Sequence, residues 1–425
     1  MRTKPIIAVA LVPAVALAVI IAARILSPGS GSAGPSYARF FDLIKIQYPE
    51  TMYDTTRNTP SINPLLNEEL SGVSSQVEAV LVGGDQVCAL FSDRGLKCWG
   101  YNYYGSAGNG DMEPQPNPVD VSGISGEVSS VSTGAYHSCA VTTSGGLKCW
   151  GFNYTGQLGD GTTADKSVPV DVFRLDSGVI SATAGGFHTC AVAARGGLKC
   201  WGRNIDGELG DGSTGNKSIP ADVYGLLSGV KTVSCGIYHT CALTESGAVM
   251  CWGDNFFGEL GDGTTQDKSI PSDVAGLDSG VTDISSRSGL HSCALMETGS
   301  LKCWGWNQFG QLGDGTTANR LTPVNVAGLG STVKAVSAGG YHTCALLNDG
   351  GVRCWGRNAL GELGDGSYIN RPSPVLVMGL TSGVKAVSAG GSGESTDPDQ
   401  TCVILNKGAL QCWGFDQTPY LPENP

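Results

Sequence analysis

GGFHTCAVAARGGLKCWGRNIDGELGDGS, residues 185–213, carries Cys200-Trp201-Gly202 near its middle. The same tripeptide stands at Cys98-Trp99-Gly100, Cys149-Trp150-Gly151, Cys251-Trp252-Gly253, Cys303-Trp304-Gly305, Cys354-Trp355-Gly356 and Cys412-Trp413-Gly414, in steps of 51, 51, 51, 52, 51 and 58 residues. A fixed period of about 50 residues marks a repeat architecture. Each unit offers four short strands separated by Gly, Asp, Ser and Pro clusters. Strand A follows Val-x-x-Val-Ser-Ala (Val333 to Ala338), B follows His-x-Cys-Ala-Leu, C is Leu-Lys-Cys-Trp, and D is Pro-x-x-Val (Pro169 to Val172). No segment within a unit has a helical period. Four antiparallel strands in each of seven units predict an all-β, seven-bladed β-propeller over residues 60–425.

Composition agrees with that class. The chain has 425 residues, 63 of them Gly, and a net charge of -12. A nucleic-acid binder needs a basic patch for phosphates, so nucleic acid is excluded as a partner. The N-terminus is of another kind. After Arg2 and Lys4, the run from Pro5 to Ala23 has nineteen residues without a charge. That length suits one membrane-spanning helix with an exported remainder, so residues 1–27 read as a membrane anchor or signal segment. Gly31-Ser32-Ala33 leaves cleavage open. Residues 28–59 begin Pro28-Gly29-Ser30-Gly31-Ser32 and read as a flexible linker. The seventh unit lacks a strand D, and Pro64 to Val73 resembles Pro169 to Val179. An N-terminal strand near Pro64 is therefore expected to complete the last blade and cover its open edge.

Fourteen of the fifteen cysteines form pairs ten residues apart: Cys88 and Cys98, Cys139 and Cys149, Cys190 and Cys200, Cys241 and Cys251, Cys293 and Cys303, Cys344 and Cys354, Cys402 and Cys412. The midpoint of each pair lies in a turn, such as Ser144-Gly145. Folding strands B and C about it sets the two cysteines opposite each other, within disulfide reach. Seven in-blade disulfides are expected, and they imply an oxidising compartment. Zinc is the competing reading, but no Cys-x-x-Cys occurs. Cys235 is left over as a small buried thiol.

His137, His188, His239, His291 and His342 each precede the first cysteine of a pair by two residues, where the first and seventh units carry Gln86 and Gln400. Gln cannot act as a general base but makes similar hydrogen bonds, so the position is architectural and no catalytic residue is expected. Asp160, Asp211, Asp262, Asp314 and Asp365 head Asp-Gly turns, where both residues serve backbone geometry. No metal or cofactor is expected, with calcium at these turns left as an alternative.

The pattern Gly-Gly-x-His-x-Cys-Ala, then Cys-Trp-Gly-x-Asn-x-x-Gly-x-Leu-Gly-Asp-Gly, resembles the regulator of chromosome condensation repeat family across residues 60–425. The resemblance implies a seven-bladed propeller. It also brings two functional readings, because the family's founding member is a guanine-nucleotide exchange factor for a small GTPase while other members are interaction modules. The paired cysteines, membrane segment and acidic charge depart from the nuclear type.

Strand order places the A–B and C–D loops on one face of the ring, where the units vary and aromatic residues gather. Tyr136, Phe187, Tyr238 and Tyr341 precede the histidines. Tyr101, Tyr103, Tyr104, Phe152, Tyr154, Phe256, Phe257, Trp306 and Phe309 lie in the C–D loops. Arg203, Asp254 and Arg357 replace the aromatic residue at one of these places, a swap foreign to a core position. The seventh unit's insertion, residues 390–399, falls in an A–B loop on the same face. The expectation is a monomeric, exported, membrane-anchored propeller that binds a protein partner through this face. Guanine-nucleotide exchange and carbohydrate binding are the alternatives.

Overall fold

The computed structural model describes residues 76–414 apart from 85, 125 and 393–398. Within them the chain folds into seven antiparallel sheets, each built in chain order from its own repeat. The second blade is representative, with strand A at Val128–Thr133, B at His137–Thr142, C at Leu147–Gly151 and D at Lys166–Asp171. Six blades have four strands, and the seventh has three among the described residues. The strand expected to complete it, near Pro64, lies outside the described residues. So does the apolar run from Pro5 to Ala23. Among the described residues no helix is long and apolar enough to cross a membrane.

The B–C hairpin sets the register of every blade. Cys139 lies opposite Cys149 and His137 opposite Gly151, with the same relation in each repeat. All seven cysteine pairs are bonded, with Cα atoms 4.1 Å apart, and Cys235 is free and buried. Strand D departs from the Pro-x-x-Val expectation. It begins at Lys166, opposite Gly151 across a register shift, and ends at Asp171. Val172 lies beyond the strand and is buried in the core, its amide donating to the Leu147 carbonyl. Strand D is the outer edge of its blade, which is why it tolerates Pro169.

The core is divided among the blade junctions. Each hydrophobic cluster combines the disulfide of one blade with the tryptophan of the next, as Cys190 and Cys200 with Trp252, or Cys241 and Cys251 with Trp304. The last junction joins Cys402 and Cys412 to Trp99 of the first blade. The ring is thus closed by packing between the first and last blades. Two hydrogen bonds support the closure, from the Val82 amide to Ser388 Oγ at 3.0 Å and from the Gly391 amide to the Gly83 carbonyl at 3.0 Å.

Candidate interaction face

The loops of the variable face rest on a belt of side-chain hydrogen bonds that crosses each junction. His137 Nε2 lies 2.8 Å from Thr189 Oγ1 of the next blade, and His188, His239, His291 and His342 reach Thr240, Ser292, Thr343 and Thr401 in the same way. Thr189, Thr240, Thr343 and Thr401 donate their own protons to the carbonyls of Gln157, Glu208, Gln311 and Glu362. Each of these hydroxyls must then accept from its histidine, which places a proton on Nε2. That polarity is the reverse of a general base activating a hydroxyl, and all the groups are buried. Burial lowers His137, His239 and His291 to about 3. In the first blade Gln86 Nε2 donates to Ser138 Oγ at 3.2 Å, doing the histidine's work.

The same loop carbonyls accept a second bond. Trp201 Nε1 donates to Gln157 O at 2.9 Å, Trp252 to Glu208 O at 2.8 Å and Trp413 to Glu362 O at 2.9 Å. Each C–D loop is therefore pinned to the core of the following blade. Within the loop an asparagine supplies the frame. Asn255 Oδ1 accepts the Leu260 amide, while Nδ2 donates to the carbonyls of Thr264 and Gln266. Asn153, Asn204, Asn307 and Asn358 repeat that pattern. The Asp-Gly carboxylates are consumed inside the loops. Asp314 accepts the Thr316 amide and pairs with Arg320. Burial pushes Asp314 up, but the Thr316 and Arg320 hydrogen bonds outweigh it and hold the carboxyl below its ordinary value. Asp160, Asp211 and Asp365 behave alike.

Above this frame the aromatic side chains of neighbouring blades touch. One run passes from Tyr104 to Phe152 (4.7 Å between centroids) and Tyr136, then to Phe187, and from Phe187 to Tyr238, stacked at 5.9 Å. Tyr101 stacks with Tyr103, and Tyr154 with Phe152. A second run joins Phe256, Phe257, Trp306, Phe309 and Tyr341, with Trp306 and Tyr341 at 5.3 Å. Arginines end the runs, with Arg203 over Tyr238 at 4.4 Å and Arg357 over Tyr341 at 5.4 Å. Exposure grades them. Tyr103 (59%), Tyr154 (70%) and Phe256 (48%) stand out in solvent, while Phe187 and Tyr341 are buried beneath their neighbours. Tyr104, Tyr136, Phe152, Tyr238, Phe257, Trp306 and Phe309 are half-buried.

Beneath the runs lie buried charges that sequence reading passed over. Glu208 pairs with Arg203, and Glu362 with Arg357 at 3.8 Å. The signal was present, since each arginine precedes its glutamate by five residues. The seventh blade's A–B loop contributes Asp399, buried, with Arg357 Nη1 at 3.7 Å. The rest of that insertion, residues 393–398, lies outside the described residues.

A closed ring of disulfide-bonded blades, with a rigid loop face and no proton-transfer geometry in its histidine belt, defines a repeat propeller. The chain belongs to the RCC1-like family: residues 166–421 match the RCC1-like domain, and residues 128–157 and 98–141 match the regulator of chromosome condensation (RCC1) repeat. The ultraviolet-B receptor UVR8 of Arabidopsis thaliana is 32% identical over 315 residues, which is 73% of this chain and 72% of that protein. The mitochondrial RCC1 domain-containing protein RUG3 of Arabidopsis thaliana is 32% identical over 309 residues, 68% and 67% of the two chains. The structure of Prp20p from Saccharomyces cerevisiae has the same fold, with a TM-score of 0.68 at 20% identity, over 84% of this chain and 85% of that one.

Proposed function

We propose that this chain is an exported, non-catalytic propeller that binds a protein partner through its A–B/C–D loop face. The observation that carries the reading is the pair of aromatic runs. Large rings with exposed ends, held on loops that are hydrogen-bonded to the core below, are the composition of interface hot spots. The opposite face carries polar B–C turns such as Thr142-Thr143-Ser144 together with D–A loops in which Phe173, Tyr224 and Leu227 are exposed singly rather than joined in runs. Seven disulfides support export, because such bonds persist in oxidising compartments. They weigh against guanine-nucleotide exchange, whose GTPase and nucleotide are cytosolic. In this reading residues 1–27 anchor or export the chain, 28–59 form a linker, and the propeller acts as a monomer with its last blade completed from near Pro64.

The test is a crosslinked pull-down from the native cell fraction. One variant replaces Tyr103, Tyr154 and Phe256 by Ala, all exposed side chains whose loss spares the core. A control replaces Thr143 and Ser246 on the opposite turns. A partner held by the wild-type chain and the control but lost by the triple variant is the expected result. Equal retention by all three would refute the assignment of this face.

A further inference from the structure

The fourth blade, where its C–D loop meets that of the third, breaks a charge rule that the second, third, fifth and sixth blades keep. The residue after Cys-Trp-Gly faces the residue five positions later, which sits in Gly-x-Leu-Gly and is buried. Where that buried residue is neutral Gln157 or Gln311, its neighbour is Phe152 or Trp306. Where it is Glu208 or Glu362, its neighbour is an arginine whose guanidinium faces the carboxylate Oε1. In the fourth blade the buried residue is Glu259 and the neighbour is Asp254. An acid has taken the place of the counter-ion.

Glu259 is wholly buried. Its Oε2 accepts the Phe257 amide at 2.8 Å, and its Oε1, the atom that meets arginine in the third and sixth blades, has no hydrogen-bond partner. Two more carboxylates converge on Asp254: Asp206 from the C–D loop of the third blade and Asp267 from that of the fourth. One oxygen from each of Asp206, Asp254 and Asp267 lies within 4.8 Å of the others. That is the span of three oxygens each about 2.4 Å from one calcium ion. Asp267 Oδ1 also accepts the Asn255 amide at 2.8 Å, which orients it. Arg203 pairs with Asp206 at 2.8 Å and also meets Glu208.

We propose that Asp206, Asp254 and Asp267, backed by Glu259, form a calcium site that ties the C–D loop of the third blade to that of the fourth. Hard oxygen donors of this charge select Ca2+ over thiolate- or imidazole-seeking metals. The site separates Tyr238, where the first aromatic run ends, from Phe256, where the second begins. A bound ion holds the two loops in register across that gap.

The repeat itself supplies variants compatible with the fold. Asp267→Asn is the residue found at Asn216, Asn319 and Asn370, which make the same cap to a loop amide. Asp254→Arg restores the arginine–glutamate pairing of the third and sixth blades. The full chain, freed of divalent ions with EDTA and dialysed, is titrated with CaCl2 in a calorimeter and melted in Ca2+ and in EDTA. The wild type is expected to bind one Ca2+ per chain, with Kd of about 0.1–1 mM as for extracellular modules, and to melt higher in Ca2+. Asp267→Asn weakens binding at least about tenfold through loss of one ligand charge. Asp254→Arg shows no saturable heat, and in EDTA it melts above the wild type. Absence of saturable heat and of a melting shift in the wild type overturns the site. So does unchanged Ca2+ binding in Asp267→Asn, which also serves as the readout if Asp254→Arg fails to fold.

Discussion

Replacing His188 by Gln places in the third blade the residue that the first and seventh blades already carry, Gln86 and Gln400. In the fold His188 is held neutral. Burial, reinforced by nearby His239, His137 and Arg203, lowers its pKa from 6.5 to about 3. Unfolded, the same imidazole titrates at its ordinary value. Below that value the unfolded chain binds a proton that the native chain refuses. Its contribution to stability is therefore full above 6.5 and lost progressively as pH falls toward about 3. At about pH 5.5 the loss is about 1.4 kcal/mol for this one side chain. His137, His239 and His291 sit in the same condition, so together the four remove about 6 kcal/mol at that pH. Glu259 and Glu362, raised by burial first, act in the opposite direction. They are common to the wild type and the variant and cancel in the comparison. The assay is urea unfolding with the disulfides intact, at about pH 7.5 and about pH 5.5. Between these pH values the wild type should lose about 1.4 kcal/mol more than His188→Gln, whatever the variant costs at neutral pH. Equal losses would mean that His188 does not remain neutral in the fold.

Two further outcomes follow from the geometry. Peptide mapping without reduction should recover seven cysteine pairs ten residues apart, with Cys235 unmodified by alkylating reagent until the chain is denatured; burial pushes its thiol pKa up and shields it. Alkylation of any cysteine in the native protein, or of a second one after denaturation without reduction, would contradict that pairing. Gly202→Ala should destabilise the fold by about 2 kcal/mol or more, since φ is +107° there and an added Cβ would meet the Phe187 carbonyl at 2.7 Å. A melting temperature within experimental error of the wild type would show that the hairpin can shift to admit it.

The period and the hairpin were legible in the sequence because both are local. A ten-residue spacing centred on a turn leaves one register, and that register places every cysteine pair. The architectural reading of the histidines also came from the repeat, through the Gln that replaces two of them. Their partners were missed, although a hydroxyl residue follows each histidine and Gln400: Ser138, Thr189, Thr240, Ser292, Thr343 and Thr401. What hid them is that the bond crosses to another blade, and its length depends on blade spacing rather than on chain order. The same cause explains the aromatic face. Tyr154 and Phe187 read alike in sequence, yet one is exposed and the other covered by rings from adjacent blades. The end of strand D was misplaced because a register shift between Cys149 and Gly151 begins the pairing earlier than the proline suggests.

The asparagine-framed loop has an evolutionary consequence. Asn102, Asn153, Asn204, Asn255, Asn307 and Asn358 do their work through backbone amides and carbonyls, so the side chain just before each is under no framing constraint. Tyr101, Phe152, Arg203, Asp254, Trp306 and Arg357 show what that freedom permits. The ring carries one variable position per loop at fixed spacing, free where the buried residue five positions on is Gln157 or Gln311 and tied to it where that residue is Glu208 or Glu362. A lineage can therefore vary the chemistry of this face faster than it can change the fold that presents it.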